Sequence, residues 1–142
     1  MSPDYRIAAR TPAIDDYRRL RTISGLTPRS AEAAAAGLPN TVFAVVIENQ
    51  ADETVGMGRV IGDNGLFFQI VDIAVDPAHQ GRGLGKAIMK ALVEHLRAAV
   101  PAEAYISLIA DGEAHRLYAQ YGFQPTAPAS IGMALFLRPN DA

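Results

Sequence analysis

The junction between an apolar strand and a helix, VDIAVDPAHQGRGLGKAIMKALVEHL over residues 71–96, constrains this chain more than any other segment. Three glycines, Gly81, Gly83 and Gly85, occupy alternate positions where the strand gives way to the helix. Glycine costs a helix roughly 0.5–1 kcal/mol relative to alanine, so the cluster indicates a need that only a missing side chain meets. The junction therefore predicts either a tight turn or the close approach of a ligand.

The same junction has the chemistry of an anion site. Several backbone N–H groups meet at a helix start with no Cβ to hold a ligand away, and the helix dipole adds partial positive charge. Arg82 and Lys86 supply two further positive charges. A turn chosen only for tight packing is the alternative, but three glycines in five residues beside two cations favour an anion.

Two familiar nucleotide-binding motifs do not fit this junction. A Walker A loop has four residues between its glycine and the Gly-Lys pair and then Ser or Thr, whereas GRGLGKA has three and then Ala87. A dinucleotide fingerprint is G-x-G-x-x-G, whereas this chain has G-x-G-x-G, with Lys86 at the last glycine position. Neither a nucleoside triphosphatase nor a dinucleotide-binding fold is predicted.

The remaining chain alternates strand-like and helix-like segments. Three β-rich runs separated by turns, from Thr41 to Val75, predict an antiparallel meander. An apolar stripe at helical spacing, from Leu84 until Pro101 stops it, predicts a long helix packed on the sheet. Shorter patterns predict strands at 5–10, 104–109 and 131–138, and helices at 14–24, 29–37 and 112–122.

Taken together, these elements predict an α+β fold in the order β-α-α-β-β-β-α-β-α-β-β. The sheet is expected to have six to seven strands, mixed but mostly antiparallel, flanked by about four helices. Because a helix separates the strand ending at Val75 from the strand near Tyr105, those two strands are expected to be parallel.

Composition limits the setting and the partners. The 142 residues, 49% hydrophobic and 20% charged, are typical of one domain, which we take to be residues 1–142. A net charge of -2 disfavours a nucleic-acid partner, and no run reaches the ~18 apolar residues of a membrane helix. The absence of cysteine removes disulfides and thiolate chemistry. We expect a cytoplasmic protein without a membrane partner.

Two motifs carry a family resemblance. Gln80-Gly81-Arg82-Gly83-Leu84-Gly85, preceded by IAVDP, resembles the pyrophosphate loop of the GNAT superfamily of acetyl-coenzyme A dependent N-acetyltransferases. Downstream, AHRLYAQYGF resembles the short helix that carries the family's tyrosine, here Tyr118. With the matching order of elements, the resemblance extends over nearly the whole chain and implies a GNAT-like fold.

The resemblance implies that acetyl-coenzyme A is the cosubstrate. The pyrophosphate would lie on the loop after the strand, and the main chain before the loop would pair with the pantetheine arm as if it were another strand. Many members place an asparagine at the start of the short helix, whereas this chain has Asp111-Gly112. The expected cofactor-binding residues are Ile73, Ala74, Val75, Gln80, Gly81, Arg82, Gly83, Leu84, Gly85, Lys86, Asp111 and His115.

Tyr118 is the first catalytic candidate. The resemblance places it near the coenzyme sulfur. A phenol of ordinary pKa about 10 is protonated at neutral pH and can donate its proton to a thiolate whose conjugate acid has a pKa near 8.5. Tyr118 is therefore expected to act as the general acid, with a tyrosine that only packs the short helix as the alternative.

Asp72 is the second catalytic candidate, as the carboxylate nearest the expected reaction centre. Strand alternation places it on the face opposite Gln69 and Ile73, whereas the family's bases commonly lie on the face of Gln69. Asp72 is thus either a base or a structural ion-pair partner. A water held by Gln69 or by Asp111 is the other route for the amine proton.

The remaining histidines and aromatic residues bear on metal binding and on the acceptor pocket. His79, His95 and His115 have no metal-ligand spacing, so no metal is expected. The resemblance also suggests an acceptor pocket on the first helices and middle strands. Its candidate lining residues are Tyr17, Arg18, Arg21, Phe43, Phe67 and Phe68.

Three functions stay open from the sequence. The leading one is acetyl transfer to a primary amine of a small molecule. The second is the same transfer to a protein N-terminus or lysine, and the third is a coenzyme A binding module without catalysis. A homodimer is left open.

Overall fold

The computed structural model describes residues 1–138. Its strands are β1 Tyr5–Ala8, β2 Phe43–Asn49, β3 Thr54–Gly62, β4 Phe67–Val75 and β5 Tyr105–Ser107. Its α-helices are α1 Ile14–Ile23, α2 Ala31–Gly37, α3 Leu84–Ala99 and α4 His115–Ala119, and two 3-10 turns occupy Leu38–Asn40 and Pro77–His79.

The five strands form one open sheet in the order β1-β2-β3-β4-β5. The pairs from β1 to β4 are antiparallel, and β5 runs parallel to β4, with Phe67 opposite Tyr105. The structure confirms the predicted meander and the predicted parallel crossover through α3. The mixed α+β class is confirmed as well.

The predicted count of six to seven strands is wrong for the part of the chain that the structure describes, and so are the two strands that end the predicted order β-α-α-β-β-β-α-β-α-β-β. The sheet has five strands, and residues 131–138, predicted as a strand, have no regular secondary structure. The alternating pattern of this segment meets the local requirement for a strand. Strand formation also needs a hydrogen-bonding neighbour, which a local pattern does not specify.

Helices cover both faces of the sheet. On one face, Tyr17 and Leu20 of α1 join a buried cluster with Val46, Met57 and Ala74. On the other face, α3 packs through Leu84, Ile88, Met89, Leu92 and Leu96, which are all buried. The predicted apolar stripe that begins at Leu84 is therefore confirmed. On the same helix, His95 stacks on Phe43 with ring centroids 3.7 Å apart.

The β3–β4 turn is held by a single carboxylate. Asp63 accepts hydrogen bonds from the main-chain N–H groups of Gly65, Leu66 and Phe67, at 2.8 to 3.1 Å. These donors lower the pKa of the Asp63 carboxyl below its ordinary value. The turn consequently fixes where β4 begins.

The chain forms two compact units. The first, Met1–Leu108, contains the sheet and α1 to α3, and the second begins at Ile109 and contains α4. The single domain of residues 1–142 stays a prediction. Within residues 1–138, no helix combines the length and apolar character needed to cross a membrane.

Gly58 of β3 allows α3 to approach the sheet closely. A Cβ built on Gly58 would lie 2.5 Å from Ile88 Cγ2 and 2.8 Å from Ile73 Cδ1. We expect Gly58→Ala to lower the free energy of unfolding by about 1–3 kcal/mol, as overpacked cores do. Gly37→Ala is the control, because a Cβ at Gly37 meets no atom within 4 Å. Urea denaturation of both variants measures the difference, and equal stabilities would contradict close packing at Gly58.

Candidate active site

The loop after β4 is anchored by short polar contacts. The Asp76 N–H donates to the Val55 carbonyl at 2.8 Å, and the Asp76 carboxylate accepts from the Ala78 N–H at 2.9 Å. The Gln80 side chain donates back to the Val75 carbonyl at 3.1 Å. These bonds place the glycine segment directly beyond the end of β4.

Glycine is required at Gly81 and Gly83 because of the backbone conformation there and not because neighbouring atoms exclude a side chain. Their φ angles are +78° and +79°, and a Cβ built on either meets no atom within 4 Å. L-residues with side chains rarely adopt these angles. Because the space around both Cα atoms is open, the turn leaves its main chain accessible at the start of α3.

The N-terminus of α3 has the features of an anion site. Gly83 is the N-cap residue and therefore offers no side-chain oxygen to the N–H groups of the first turn. Leu84 is buried and anchors the turn in the core, so its side chain is not available to a ligand. Exposed Arg82 and Lys86 flank this turn.

Arg82 also contacts the N-terminal strand. Its guanidinium carbon lies 6.0 Å from the ring centroid of Tyr5, at the limit of a cation–π contact. The Tyr5 hydroxyl forms a hydrogen bond with His79 Nδ1 at 2.8 Å. The loop therefore rests on β1 as well as on β4.

A β-bulge interrupts the pairing of β3 with β4. Met57 is opposite Ala74 and Arg59 is opposite Val71, so Gly58 faces two residues, Asp72 and Ile73. Asp72 has φ +60°, an unusual value for a residue with a side chain, although aspartate tolerates it better than most. The bulge lies within the segment in which Ile73, Ala74 and Val75 are the predicted pantetheine-binding residues.

Asp72 is the centre of a buried ionic cluster. One carboxylate oxygen accepts from Arg21 Nη1 at 2.5 Å, and the other accepts from Arg59 Nη1 at 2.7 Å. The Tyr17 hydroxyl lies 3.1 Å from both oxygens. The Asp72 side chain is only 5% exposed, whereas the residue as a whole is partly exposed. The solvent-accessible part of Asp72 is therefore its main chain.

Both arginine partners of Asp72 are fixed by a second contact. Arg21 Nε donates to the Thr27 carbonyl at 2.7 Å, and Arg59 Nε donates to the Thr41 hydroxyl at 3.0 Å. Burial, followed by the charge of Asp72, raises the pKa of Tyr17 above its ordinary value. Tyr17 is thus a neutral donor at physiological pH.

These contacts revise several sequence-based interpretations. Tyr17 and Arg21, considered for an acceptor pocket, bind Asp72, while Phe68 is buried in the core. The cluster member that the sequence analysis missed is Arg59. The sequence feature that could have identified it is a pair of opposite charges in neighbouring apolar strands, Arg59 in VGMGRVI and Asp72 in IVDIAV.

The second unit contains Tyr118, Asp111 and His115. Tyr118 lies on α4 and is half-buried, and burial, followed by the charge of Asp111, raises the pKa of its phenol. His115 Nδ1 lies 3.2 Å from the Gly112 carbonyl, in the turn that precedes α4. The neutral phenol required of a general acid is therefore favoured by its surroundings.

Metal-ligating side chains show no cluster in the described part of the chain. No group of three or more His, Cys, Asp or Glu residues among residues 1–138 has an arrangement that could hold a metal ion.

Comparison with known proteins finds a family and several relatives. The chain matches the acetyltransferase (GNAT) domain family over residues 39–125, which runs from the turn before β2 to beyond α4. A structure of a Staphylococcus aureus protein of unknown function, described as a probable acetyltransferase, is 42% identical. Its TM-score is 0.89, and the match covers 94% of this chain and 99% of that one.

Curated plant proteins match a smaller part of the chain. Histone acetyltransferase TAP1 of Glycine max is 34% identical over 92 residues, which are 65% of this chain and 38% of that protein. Chloroplastic serotonin N-acetyltransferase 2 of Oryza sativa subsp. japonica is 36% identical over 89 residues, covering 62% of this chain and 43% of that protein. The chain thus spans less than half the length of these two relatives.

We expect Asp72→Asn to lower the free energy of unfolding by about 3–5 kcal/mol, because two buried guanidinium groups lose their carboxylate. Asparagine also tolerates φ near +60°, so the substitution tests charge rather than conformation. Asp52→Asn is the matched control, since Asp52 has φ +62° and pairs with Arg6 but is 77% exposed. Urea denaturation should show a much smaller loss for the control, and similar losses would contradict a special role for the buried cluster.

Proposed function

Because this chain belongs to the GNAT acetyltransferase family, we propose that it transfers the acetyl group of acetyl-coenzyme A to a primary amine of a small molecule. The observation that carries the proposal is the family match over residues 39–125, which includes the glycine turn at the start of α3. The open, positively flanked turn has the chemistry to bind a pyrophosphate.

The residues of the first unit fit coenzyme A. The accessible main chain at the bulge has N–H and C=O groups that can pair with the amides of the pantetheine arm. The space beside the Cα atoms of Gly81 and Gly83 is open, so a ligand can approach their main chain closely. Arg82 and Lys86 supply positive charge for a group that carries several negative charges. We assign Ile73 to Val75 and Gln80 to Lys86 to coenzyme binding on this basis, with Asp111 and His115 as further candidates.

The reaction that we propose is direct attack of the amine on the thioester carbonyl. Acetyl-coenzyme A supplies an acyl group on a thiolate leaving group. The N–C bond forms as the C–S bond breaks, the amine loses a proton, and the thiolate gains one. We assign the proton given to the thiolate to the Tyr118 phenol, whose raised pKa keeps it protonated.

We propose that Asp72 positions the main chain rather than accepts the amine proton. Its carboxylate oxygens already accept from Arg21, Arg59 and Tyr17. A base must be within hydrogen-bond reach of the proton that it removes, and this carboxylate is buried among other donors. We therefore assign the amine proton to water and not to Asp72, which was the second catalytic candidate from the sequence.

The acceptor class is the open part of the proposal. The relatives include a protein named for histones and one named for serotonin, so their names point in both directions. This chain has no acidic or basic tract to bind a peptide, which favours a small amine. A cytoplasmic location is proposed as well, although the Oryza sativa relative is named chloroplastic.

An assay of thiol release from acetyl-coenzyme A tests the acceptor class. The acceptors are small amines, peptides with a free lysine side chain and peptides with a free N-terminus. Release with small amines and not with peptides supports the proposal. Release with peptides alone transfers the assignment to protein acetylation. Coenzyme binding without thiol release for any of these acceptors identifies a binding module.

We expect Gly83→Val to abolish acetyl-coenzyme A binding, because its side chain would occupy the open space above the turn and oppose φ +79°. Gly25→Val is the control, since Gly25 has φ +88° and equally open surroundings at the end of α1. Both variants carry backbone strain, but titration calorimetry should show binding lost only in Gly83→Val. Normal binding by folded Gly83→Val would show that the turn is not the anion site.

We expect Tyr118→Phe to reduce turnover by roughly 10²–10⁴-fold with little change in coenzyme affinity, as loss of a general acid does. Tyr121→Phe, in the same unit, is the control and should keep normal turnover. The protonated phenol is the active form and its pKa is raised, so wild-type turnover should decline only at pH values above about 10. Equal turnover of wild type and Tyr118→Phe would assign this proton to water.

A further inference from the structure

The N-terminal strand reaches the coenzyme loop, the segment 76–83 that joins β4 to α3. Its first residue, Tyr5, contacts two residues of this loop, one on each side of Gly81. The hydroxyl of Tyr5 forms the 2.8 Å hydrogen bond with His79 Nδ1, and its ring centroid lies 6.0 Å from the guanidinium carbon of Arg82. All of these residues belong to the first unit. One side chain of β1 therefore contacts both halves of the loop.

The topology of the sheet explains how β1 reaches this loop. Because neighbouring strands from β1 to β4 are antiparallel, the start of β1 and the end of β4 lie at the same end of the sheet. A strand spacing of roughly 4.8 Å separates them by about 14 Å. The helix α3 packs on β2 and β3 as well as on β4, so the loop that leads to it runs across the end of the sheet toward β1. Tyr5 lies where the loop arrives.

The direction of the Tyr5–His79 hydrogen bond follows from the groups available. Tyr5 is buried, and within residues 1–138 His79 is the single hydrogen-bond partner of its hydroxyl. A buried phenol that donated no hydrogen bond would lose the solvation of its proton without compensation. The Tyr5 hydroxyl therefore donates to Nδ1, and the proton of the neutral imidazole is on Nε2. The two rings also pack edge to face with centroids 5.7 Å apart, so two contacts fix the imidazole.

Arg82 is the residue of the loop with the most freedom before a ligand binds. In the described part of the chain, the structure gives its side chain one interaction, the contact with the Tyr5 ring. A cation is attracted to the face of an aromatic ring, so this contact restrains the guanidinium. An arginine that is restrained in advance loses less rotamer entropy when it binds a phosphate group.

The other contacts of the loop act before it reaches Arg82. Asp76 and Gln80 form hydrogen bonds with β3 and β4, which fix the loop where it leaves the sheet. On the side of α1, Arg19 Nη1 lies 3.8 Å from the Asp76 carboxylate. The Arg19 side chain is 40% exposed, and ion pairs of this kind contribute little. All of these contacts precede Gly81, whereas the contact with β1 extends past it.

We propose that Tyr5 is a positioning residue for coenzyme binding. Its hydroxyl holds the loop through His79, and its ring holds Arg82 where the loop meets the phosphate groups of the coenzyme. Fixing the loop in advance lowers the entropy lost on binding, so the effect is on the affinity for acetyl-coenzyme A. The inference rests on the coenzyme site of the proposed function and adds to it a residue outside the family match of residues 39–125.

Titration calorimetry with acetyl-coenzyme A tests the role of the hydroxyl. Tyr5→Phe keeps the ring and should raise the dissociation constant roughly 2–10-fold, as loss of one neutral hydrogen bond does. His79→Leu should give the same loss, and the double variant no further loss, because both changes break one bond. His79→Asn should retain most of the affinity, since its side-chain oxygen can accept at the position of Nδ1. Tyr105→Phe, which changes a tyrosine of β5, is the control.

The role of the ring is tested in combination with Arg82. Tyr5→Leu removes the ring as well as the hydroxyl and should weaken binding roughly 2–5-fold more than Tyr5→Phe. In an Arg82→Ala background the two Tyr5 variants should bind equally, because the ring then has no guanidinium to hold. A difference that persists in this background would show that the ring does not act through Arg82 and would contradict that part of the inference.

The stoichiometry of binding separates a positioning role from a structural one. Loss of positioning raises the dissociation constant at unchanged stoichiometry, whereas a damaged fold lowers the fraction of chains that bind. Wild-type affinity in Tyr5→Phe, or a reduced stoichiometry alone, would overturn the inference while leaving the coenzyme site in place. Absence of binding by the wild-type protein would overturn both this inference and the proposed coenzyme site.

Discussion

The contact of the Asp72 carboxylate with two buried guanidinium groups is the constraint on which the proposed site depends. Arg21 comes from α1, Arg59 from β3 and Asp72 from β4, so the cluster joins a helix to two strands. A buried carboxylate with such partners is costly to leave unpaired, and the three elements therefore share one geometry. The unusual φ of Asp72 is maintained by these contacts, and with it the bulge that exposes the main chain of β4.

Glycine is needed at Gly81, Gly83 and Gly58 for two different physical reasons. At Gly81 and Gly83 the surroundings are open and the backbone angles require glycine. At Gly58 the opposite holds, because neighbouring side chains leave no room for a Cβ. The first case leaves the main chain of the turn accessible, and the second allows α3 to lie close to β3. Together they fix the N-terminus of α3 relative to the end of β4.

Much of this arrangement could be predicted from the sequence. The meander, the helix from Leu84 and the glycine turn depend on periodicity and local conformational preference, which can be recognised in a single sequence. Family membership followed from the motif around Gly83 and the later Tyr118. The bulge could not be predicted, since a shift in register is decided by pairing between strands. Arg59 was missed for the same reason, because its partner Asp72 lies on a neighbouring strand.

The cluster at the bulge also has an electrostatic consequence for any amine that reaches it. Two guanidinium groups are balanced by one carboxylate, and Tyr17 stays neutral because its pKa is raised, so the cluster has a net positive charge. A positive surrounding disfavours an ammonium ion and favours the uncharged amine. Only the uncharged amine has the lone pair that attacks a thioester. The ion pairs that shape the β4 main chain would thereby also select the reactive protonation state of a nucleophile beside it.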